Sequence, residues 1–173
     1  MLSKILKKSD CSACRFCCSF RRQSLWETPV FSKEAAEVLA KIRPSAKFRP
    51  VGKSSITVEL SHLYKTDDSE EEAPCPFLDS SKGCILPPEL KPFDCSIWPF
   101  RAVRVNGDQL AVALMPTCPA VNKVPREKIT ELLKSGLGKK ILDYAKENPD
   151  IVKDVCCIKH FQEKQIQDFL LQF

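Results

Sequence analysis

Four cysteines fall within eight residues near the start of this 173-residue chain: Cys11, Cys14, Cys17 and Cys18. The two-residue spacers allow tight turns that aim successive sulfurs at one point, as in zinc and iron–sulfur proteins. Thiolate is a soft ligand that selects zinc, copper(I) or iron–sulfur clusters over magnesium and calcium. The alternative is a set of unlinked thiols, packed as small hydrophobes or paired as disulfides. So dense a run favours a metal site.

The cellular compartment decides whether the ten cysteines of the chain are bridged or metallated. Residues 1–10 contain lysines but no extended apolar core and no small-residue cleavage site, so we expect no secretory signal. No run approaches the roughly eighteen apolar residues that a membrane span needs. We therefore expect a cytoplasmic protein with no membrane partner, in which cysteine sets serve as metal or redox sites.

The net charge of +5 and the pI of about 8.7 are mild, and the basic residues are dispersed. A nucleic-acid partner would call for a concentrated basic stripe, so none is expected. The chain also contains neither of the glycine-rich motifs that bind nucleotide phosphates. Several cations surround the first cysteine run and could either lower the pKa of its thiols or be solvated surface charges. These cations are Lys4, Lys7, Lys8, Arg15, Arg21 and Arg22.

A second cysteine-rich region runs from Cys75 to Pro99 and also contains Cys84 and Cys95. The residues Asp79 to Gly83 predict a turn, so Cys75 and Cys84 should flank a hairpin-like excursion. Six prolines in or beside this region restrict the backbone and predict a stiff, irregular ligand loop. Such rigidity suits a site whose ligand geometry must be held.

Regular elements are predicted between and after these regions. Ser32 to Ile42 has helical periodicity with Ser32 as a cap, and Phe48 to Leu60 contains an alternating strand. The acidic run Asp67 to Glu72 predicts an exposed, mobile loop. Arg101 to Met115 predicts a β-hairpin, because Asn106-Gly107 is a strong turn signal. Cys118 follows this hairpin.

From Pro125 onward the apolar pattern predicts helices, with a second amphipathic stretch from Ile158 to Phe173. The fold class is therefore α+β: one small domain with irregular cysteine-rich loops, short antiparallel hairpins and C-terminal helices. We assign residues 1–119 to a metal-binding core and residues 120–173 to a helical extension packed on the same domain.

Two further groups have a structural and a functional interpretation. Cys156, Cys157 and His160 would lie near one another on a helix and could form a site, but buried small residues are the simpler interpretation. His62, at the end of an apolar strand, is also expected to be structural.

Taken together, the two cysteine regions resemble the YkgJ-like cysteine-cluster family, described as a zinc- or iron-chelating domain. The resemblance covers roughly residues 11–119 and rests on the C-x2-C-x2-C-C run followed by two further motifs. These motifs are Cys75-Pro76-Phe77-Leu78 and, from Gly83-Cys84-Ile85-Leu86, the stretch Lys91-Pro92-Phe93-Asp94-Cys95-Ser96-Ile97-Trp98-Pro99. Three positions depart from the family pattern. Lys91 and Ser96 stand where arginine is frequent, and the tyrosine or histidine that the family carries after Cys84 is replaced.

Eight thiols are candidate metal ligands: Cys11, Cys14, Cys17, Cys18, Cys75, Cys84, Cys95 and Cys118. They exceed the four that one zinc ion or one [4Fe–4S] cluster takes. Adjacent side chains such as Cys17 and Cys18 are expected to diverge, so either two sites exist or one site lies beside spare thiols. The triplet with a distant fourth cysteine is closer to the bacterial ferredoxin arrangement than to a zinc site. We therefore favour one or two iron–sulfur clusters of the [4Fe–4S] type, with zinc as the alternative.

Three functions remain open from the sequence. The first is an iron–sulfur protein that transfers electrons or assists a partner redox or modification enzyme. The second is a zinc-stapled interaction module without catalysis. The third is an enzyme similar to the bacterial flagellin lysine methylases, which resemble the same module, and this rests on analogy alone.

Overall fold

The computed structural model describes residues 2, 5–6, 14–115, 117–154 and 170–171. The chain divides into two compact units. One comprises Arg15–Ser96, and the other comprises Met1–Cys14 with Ile97–Phe173. Helices and several small sheets occur together, so the predicted α+β class is confirmed. The predicted division of the chain at residue 119 stays a prediction.

The Arg15–Ser96 unit contains three small antiparallel sheets. The largest has three strands in the order β2-β4-β3. A second pairs β1 with β5, and a third pairs β6 with β7. The bounds are β1 Ser19–Arg21, β2 Val30–Ser32, β3 Phe48–Val51, β4 Ser55–Val58, β5 Glu72–Pro74, β6 Leu78–Asp79 and β7 Gly83–Cys84.

The alternating strand predicted within Phe48 to Leu60 corresponds to β4, which forms a hairpin with β3. Gly52 adopts a positive φ of 57° in its turn, a conformation that glycine reaches without steric cost. In the central strand β4, both Thr57 and Val58 are buried. Both faces of the strand are therefore covered at this point, whereas the alternating pattern predicted one face exposed to solvent. Thr57 tolerates burial because its hydroxyl lies 2.7 Å from both Thr28 Oγ1 and the Pro29 carbonyl oxygen.

The predicted helix after Ser32 is confirmed. A 3-10 turn, Lys33–Ala35, leads into helix α1, Ala36–Ile42. Ser32 occupies the N-cap position, but its side chain makes no capping hydrogen bond to the backbone. Leu39 is completely buried and anchors the helix on the core of this unit.

The core of this unit is built around aromatic rings. Phe31, Phe48 and Phe77 lie within 5.9 to 6.4 Å of one another, measured between ring centroids. Such pairs stabilise a core beyond the area they bury. Phe48 is only partly buried and packs against this core, whose buried members besides Phe31 and Phe77 are Phe20, Leu39, Ile56, Val58, Leu60, Tyr64 and Ala73.

The acidic run Asp67 to Glu72 is largely exposed, as predicted, but hydrogen bonds and an ion pair connect it to neighbouring residues. The Glu71 carboxylate accepts hydrogen bonds from the backbone amides of Lys65 and Thr66, at 2.7 and 2.8 Å. These hydrogen bonds lower the pKa of Glu71 to about 2. Arg21 pairs with Glu70 at 2.7 Å, and Glu72 begins β5.

The second unit contains a four-stranded sheet in the order β10-β8-β9-β11. Its centre is the hairpin of β8, Phe100–Val105, and β9, Gln109–Leu114, which confirms the predicted hairpin. Asn106 and Gly107 both adopt positive φ, although three residues rather than two separate the strands. β10, Lys153–Asp154, lies parallel to β8, and β11, Leu170–Leu171, lies antiparallel to β9.

The helices predicted after Pro125 are confirmed. Helix α3, Arg126–Leu132, continues through a π-helical turn, Leu133–Leu137, into helix α4, Gly138–Glu147. Gly136 has a φ of 114°, which accounts for the break in the apolar pattern. Buried side chains include Ile129, Leu132, Leu133, Leu137 and Ile141.

The last predicted amphipathic helix, Ile158 to Phe173, lies largely outside the described residues. Its two described residues, Leu170 and Leu171, form a strand and not a helix, because they pair with the edge of β9. Within the described ranges, no helix has the length and apolar character that a membrane crossing requires.

Candidate metal centre

The first thiol-bearing segment of the Arg15–Ser96 unit is the 3-10 turn Phe16–Cys18. Arg15 precedes it in the left-handed conformation, with a φ of 51°, and its carbonyl accepts the Cys18 amide at 3.0 Å. Cys17 and Cys18 are both half-buried in this turn. The chain then enters β1, which fixes the two cysteines at the start of a paired strand.

Pairing between β1 and β5 brings the second segment to the same place. Ser19 is registered with Pro74, and the Cys75 amide donates a 2.8 Å hydrogen bond to the Cys18 carbonyl. Cys75 is therefore a cross-strand neighbour of Cys18, although they are far apart in the sequence. The local pattern of either segment gives no indication of this register.

The third segment is the turn predicted between Asp79 and Gly83. Leu78 pairs with Cys84 in the β6–β7 hairpin, and the Leu78 amide also donates to the Cys75 carbonyl at 2.9 Å. Gly83 has a positive φ of 78°, and the Asp79 carboxylate accepts hydrogen bonds from the amides of Ser81 and Lys82 at 2.8 Å each. Cys75 and Cys84 thus flank a closed turn, as the sequence predicted.

Phe77 joins this turn to the core. Its side chain is fully buried among the aromatic rings, while its backbone amide donates a hydrogen bond to the Cys75 thiol. An amide that donates to sulfur stabilises the thiolate form, which is the form that binds metals. The Cys75-Pro76-Phe77-Leu78 motif therefore supplies both an anchor and a donor to the ligand.

The thiols of four cysteines are electrostatic neighbours. A hydrogen bond to the Cys18 thiol, burial and the proximity of Cys18 strongly raise the pKa of Cys17. Burial raises the pKa of Cys75 to about 11, with smaller contributions from Cys84 and Cys17. All four thiolates can coexist only when a cation compensates them, because like charges at close range disfavour one another.

Cys17 and Cys18 were expected to diverge, but their thiols lie close enough for Cys18 to raise the pKa of Cys17. The tight 3-10 turn brings the two adjacent side chains together. The seven described cysteines are all free thiols, so no disulfide joins any of them. Among these seven, the alternative of a disulfide framework is therefore not realised.

The remaining candidate ligands lie elsewhere in the chain. Cys95 is half-buried in helix α2, Phe93–Ile97, near the end of the same unit. Cys14 is exposed and Cys118 is buried, and both belong to the other unit. Cys11 and the group Cys156, Cys157 and His160 lie outside the described residues.

The donor set fits a soft metal. Cys17, Cys18, Cys75 and Cys84 together supply four sulfurs, the number that one structural zinc ion or one iron–sulfur cluster takes. Among the residues that the structure describes, no group of three or more histidine, cysteine, aspartate or glutamate side chains is arranged to hold a metal ion. The fit therefore rests on the chemistry of the donors and on the backbone contacts that bring them together.

Sequence reasoning missed the cation that acts on these thiols. Lys91 lowers the pKa of Cys17, opposing the effect of burial. The nearby arginines have other contacts: Arg21 pairs with Glu70, and Arg22 stacks on the Tyr64 ring at 4.8 Å. The only sequence signal for Lys91 was its place in the family-like motif, where a basic residue precedes the proline.

Comparisons of this chain with protein-family models, curated proteins and solved structures found no match.

Proposed function

We propose that this chain is a metal-chelating cysteine-cluster protein, similar to the YkgJ-like family, with a centre held by Cys17, Cys18, Cys75 and Cys84. The observation that carries the proposal is the convergence of two distant cysteine segments through the 2.8 Å hydrogen bond from the Cys75 amide to the Cys18 carbonyl. A second observation supports it. The Phe77 amide acts to lower the pKa of the Cys75 thiol and so opposes part of the larger effect of burial, which raises it.

An iron–sulfur cluster of the [4Fe–4S] type is the first candidate for the bound group. The C-x2-C-x2-C spacing that ends at Cys17 is typical of bacterial ferredoxins, and Cys17 is the member of that run that we assign to this centre. When bound, such a cluster supplies one-electron transfer. The protein would then transfer electrons itself or assist a partner redox or modification enzyme.

Zinc is the second candidate, and one specific observation favours it. The Cys18 thiol raises the pKa of Cys17, and such proximity of two sulfurs suits two ligands of a single ion better than ligands of separate irons. A zinc ion would hold β1, β5 and the β6–β7 turn together, and its role would be structural and not catalytic. The protein would then serve as an interaction module for a partner protein.

The experiment is metal analysis of protein purified without oxygen, combined with an absorbance spectrum. An iron–sulfur cluster gives a brown protein with iron and sulfide, and a broad band near about 400 nm that dithionite bleaches. Zinc gives a colourless protein with stoichiometric zinc. Protein that contains neither metal, and binds neither when it is supplied in reducing buffer, would overturn the proposal.

A further inference from the structure

A cleft of about 270 Å³ opens on the Arg15–Ser96 unit beside one of the proposed metal ligands. Its polar lining consists of Arg43, Ser45 and His62, and Cys75 forms part of the same wall. The apolar lining consists of Leu63, Pro74, Pro76 and Leu78. The lining carries one permanent cation and no carboxylate, so the cleft is suited to an anionic ligand.

Arg43 supplies the permanent cation in the lining of the cleft. It follows helix α1, and its Nε atom is buried without a hydrogen-bond partner among the described residues. A buried guanidinium N–H that finds no acceptor costs free energy, and native structures usually satisfy such a group with protein, water or a ligand. The planar guanidinium is shaped to receive the two oxygens of a carboxylate or phosphate group.

Two further side chains that can donate hydrogen bonds, Ser45 and His62, line the same cleft. His62 lies in the 3-10 turn Ser61–Leu63 and is exposed, whereas the sequence predicted a structural role for it. The carboxylate closest to His62 in sequence, Glu59, accepts the Ser61 amide at 2.7 Å and pairs with Arg49 at 3.8 Å. His62 is exposed on the cleft wall, where it can donate to a ligand, and it also interacts electrostatically with Glu59.

We propose that this cleft binds a small oxyanion, a carboxylate or a phosphate group, with Arg43 as its anchor and with His62 and Ser45 as further donors. The leucine and proline walls would contact the short hydrocarbon part of such a ligand. The volume is slightly smaller than that of typical pockets for drug-sized molecules, so the ligand is a single small molecule. Because Cys75 lines the cleft, the bound oxyanion lies beside the thiol cluster. This inference goes beyond the proposed metal centre and does not require a metal to be present.

The test uses two probes, inorganic phosphate and succinate, titrated into the full-length protein as purified, at constant ionic strength. Arginine Nε–H resonances in nitrogen-edited NMR spectra report binding, and calorimetry gives the dissociation constants. We expect saturable binding of at least one probe, with a downfield shift of the Arg43 Nε–H resonance. A preference for one probe tells whether the natural group is a phosphate or a carboxylate.

The variant Arg43→Gln should bind the preferred probe at least about tenfold more weakly, because it removes a charge-assisted hydrogen bond. Arg49→Gln is the matched control, since it removes the same charge from the same unit outside the cleft, and its dissociation constant should stay within about twofold. If Arg43→Gln fails to fold, His62→Ala is used instead, because His62 is exposed. We expect this variant to bind the preferred probe about threefold or more weakly. Absence of saturable binding by either probe, or equal binding by the variant and the control, would overturn the proposal.

Discussion

The Cys75 amide donates a 2.8 Å hydrogen bond to the carbonyl oxygen of Cys18. This bond extends the β1–β5 pairing by one position beyond Ser19 and Pro74 and joins the two cysteine-rich regions of the sequence. Cys17 lies immediately before the paired residue, and Cys84 lies opposite Leu78 in the next turn. Pairing between strands that are far apart in the sequence thus brings together the backbone segments that carry the thiols we assign to the metal centre.

Replacing Phe77 by alanine should lower the free energy of unfolding by about 3–5 kcal/mol, because the change leaves a cavity in a fully buried site. Phe77 packs on Phe31 with ring centroids 5.9 Å apart, and its own backbone amide supports Cys75. Urea denaturation measures the change. Val38→Ala is the control, since Val38 is 43% exposed and its truncation should change stability by less than about 0.5 kcal/mol. A comparable loss in both variants would contradict the assigned role of Phe77.

Removing Lys91 should weaken metal binding at neutral pH. Lys91 lowers the pKa of Cys17, so Lys91→Gln raises that pKa further and makes the ligand harder to deprotonate. We expect a dissociation constant about two- to fivefold higher in competition with a chromophoric chelator, and a smaller difference as the pH is raised. Lys47→Gln removes an exposed lysine from the same unit and should leave the constant unchanged. A pH-independent effect of Lys91→Gln would argue against an action through the thiol.

Asp79→Ala should loosen the turn that carries Cys84. The carboxylate accepts hydrogen bonds from Ser81 and Lys82, and these lower the pKa of Asp79 to about 2. Loss of this acceptor leaves the turn free to open, so metal should transfer faster to excess chelator. Stopped-flow transfer rates for this variant are compared with those of Asp67→Ala, which removes an exposed carboxylate from the acidic loop. Equal rates in both variants would show that the Asp79 hydrogen bonds do not restrain the site.

Glu71 should make stability depend on acid pH. Backbone amides of Lys65 and Thr66 hold its folded-state pKa at about 2, below the ordinary value of 4.5. A carboxyl whose pKa is depressed on folding stabilises the protein fully above its unfolded-state pKa and loses that contribution as pH falls through its folded-state pKa. Stability should therefore decline between about pH 4.5 and pH 2.

The variant Glu71→Gln tests this dependence by urea denaturation across the same pH range. We expect lower stability than the parent protein at neutral pH and a shallower decline in acid. Glu89→Gln, an exposed carboxylate elsewhere in the unit, should retain the parent profile. An unchanged acid profile in Glu71→Gln would mean that other carboxyls dominate the acid response.

Local signals in the sequence predicted the elements that depend on neighbours in the chain. The Asn106-Gly107 turn, helix α1 and the apolar face of α3 and α4 were all predicted correctly, because turn chemistry and helical periodicity are short-range properties. The turn Asp79–Gly83 between Cys75 and Cys84 was likewise predicted from its residues, whereas the metal-ligand role of the cysteine segments stays a prediction.

The failures involve long-range pairing. The strand at Leu170–Leu171 exists because β9 offers it an edge, and an apolar pattern alone could not distinguish it from a helix. Which cysteines converge depends on the register of β1 against β5, across the fifty residues of chain that separate the two strands. The contact between the Cys17 and Cys18 thiols depends on the 3-10 geometry of one turn, which residue spacing does not specify.

The most direct test of the metal centre is X-ray absorption at the edge of the metal that copurifies, measured on the parent protein and on Cys75→Ser. We predict a first shell of sulfur only, at about 2.3 Å if the metal is zinc, and loss of most of the metal in the variant. A first shell made of oxygen and nitrogen, or a variant that keeps its metal with an unchanged spectrum, would contradict the account.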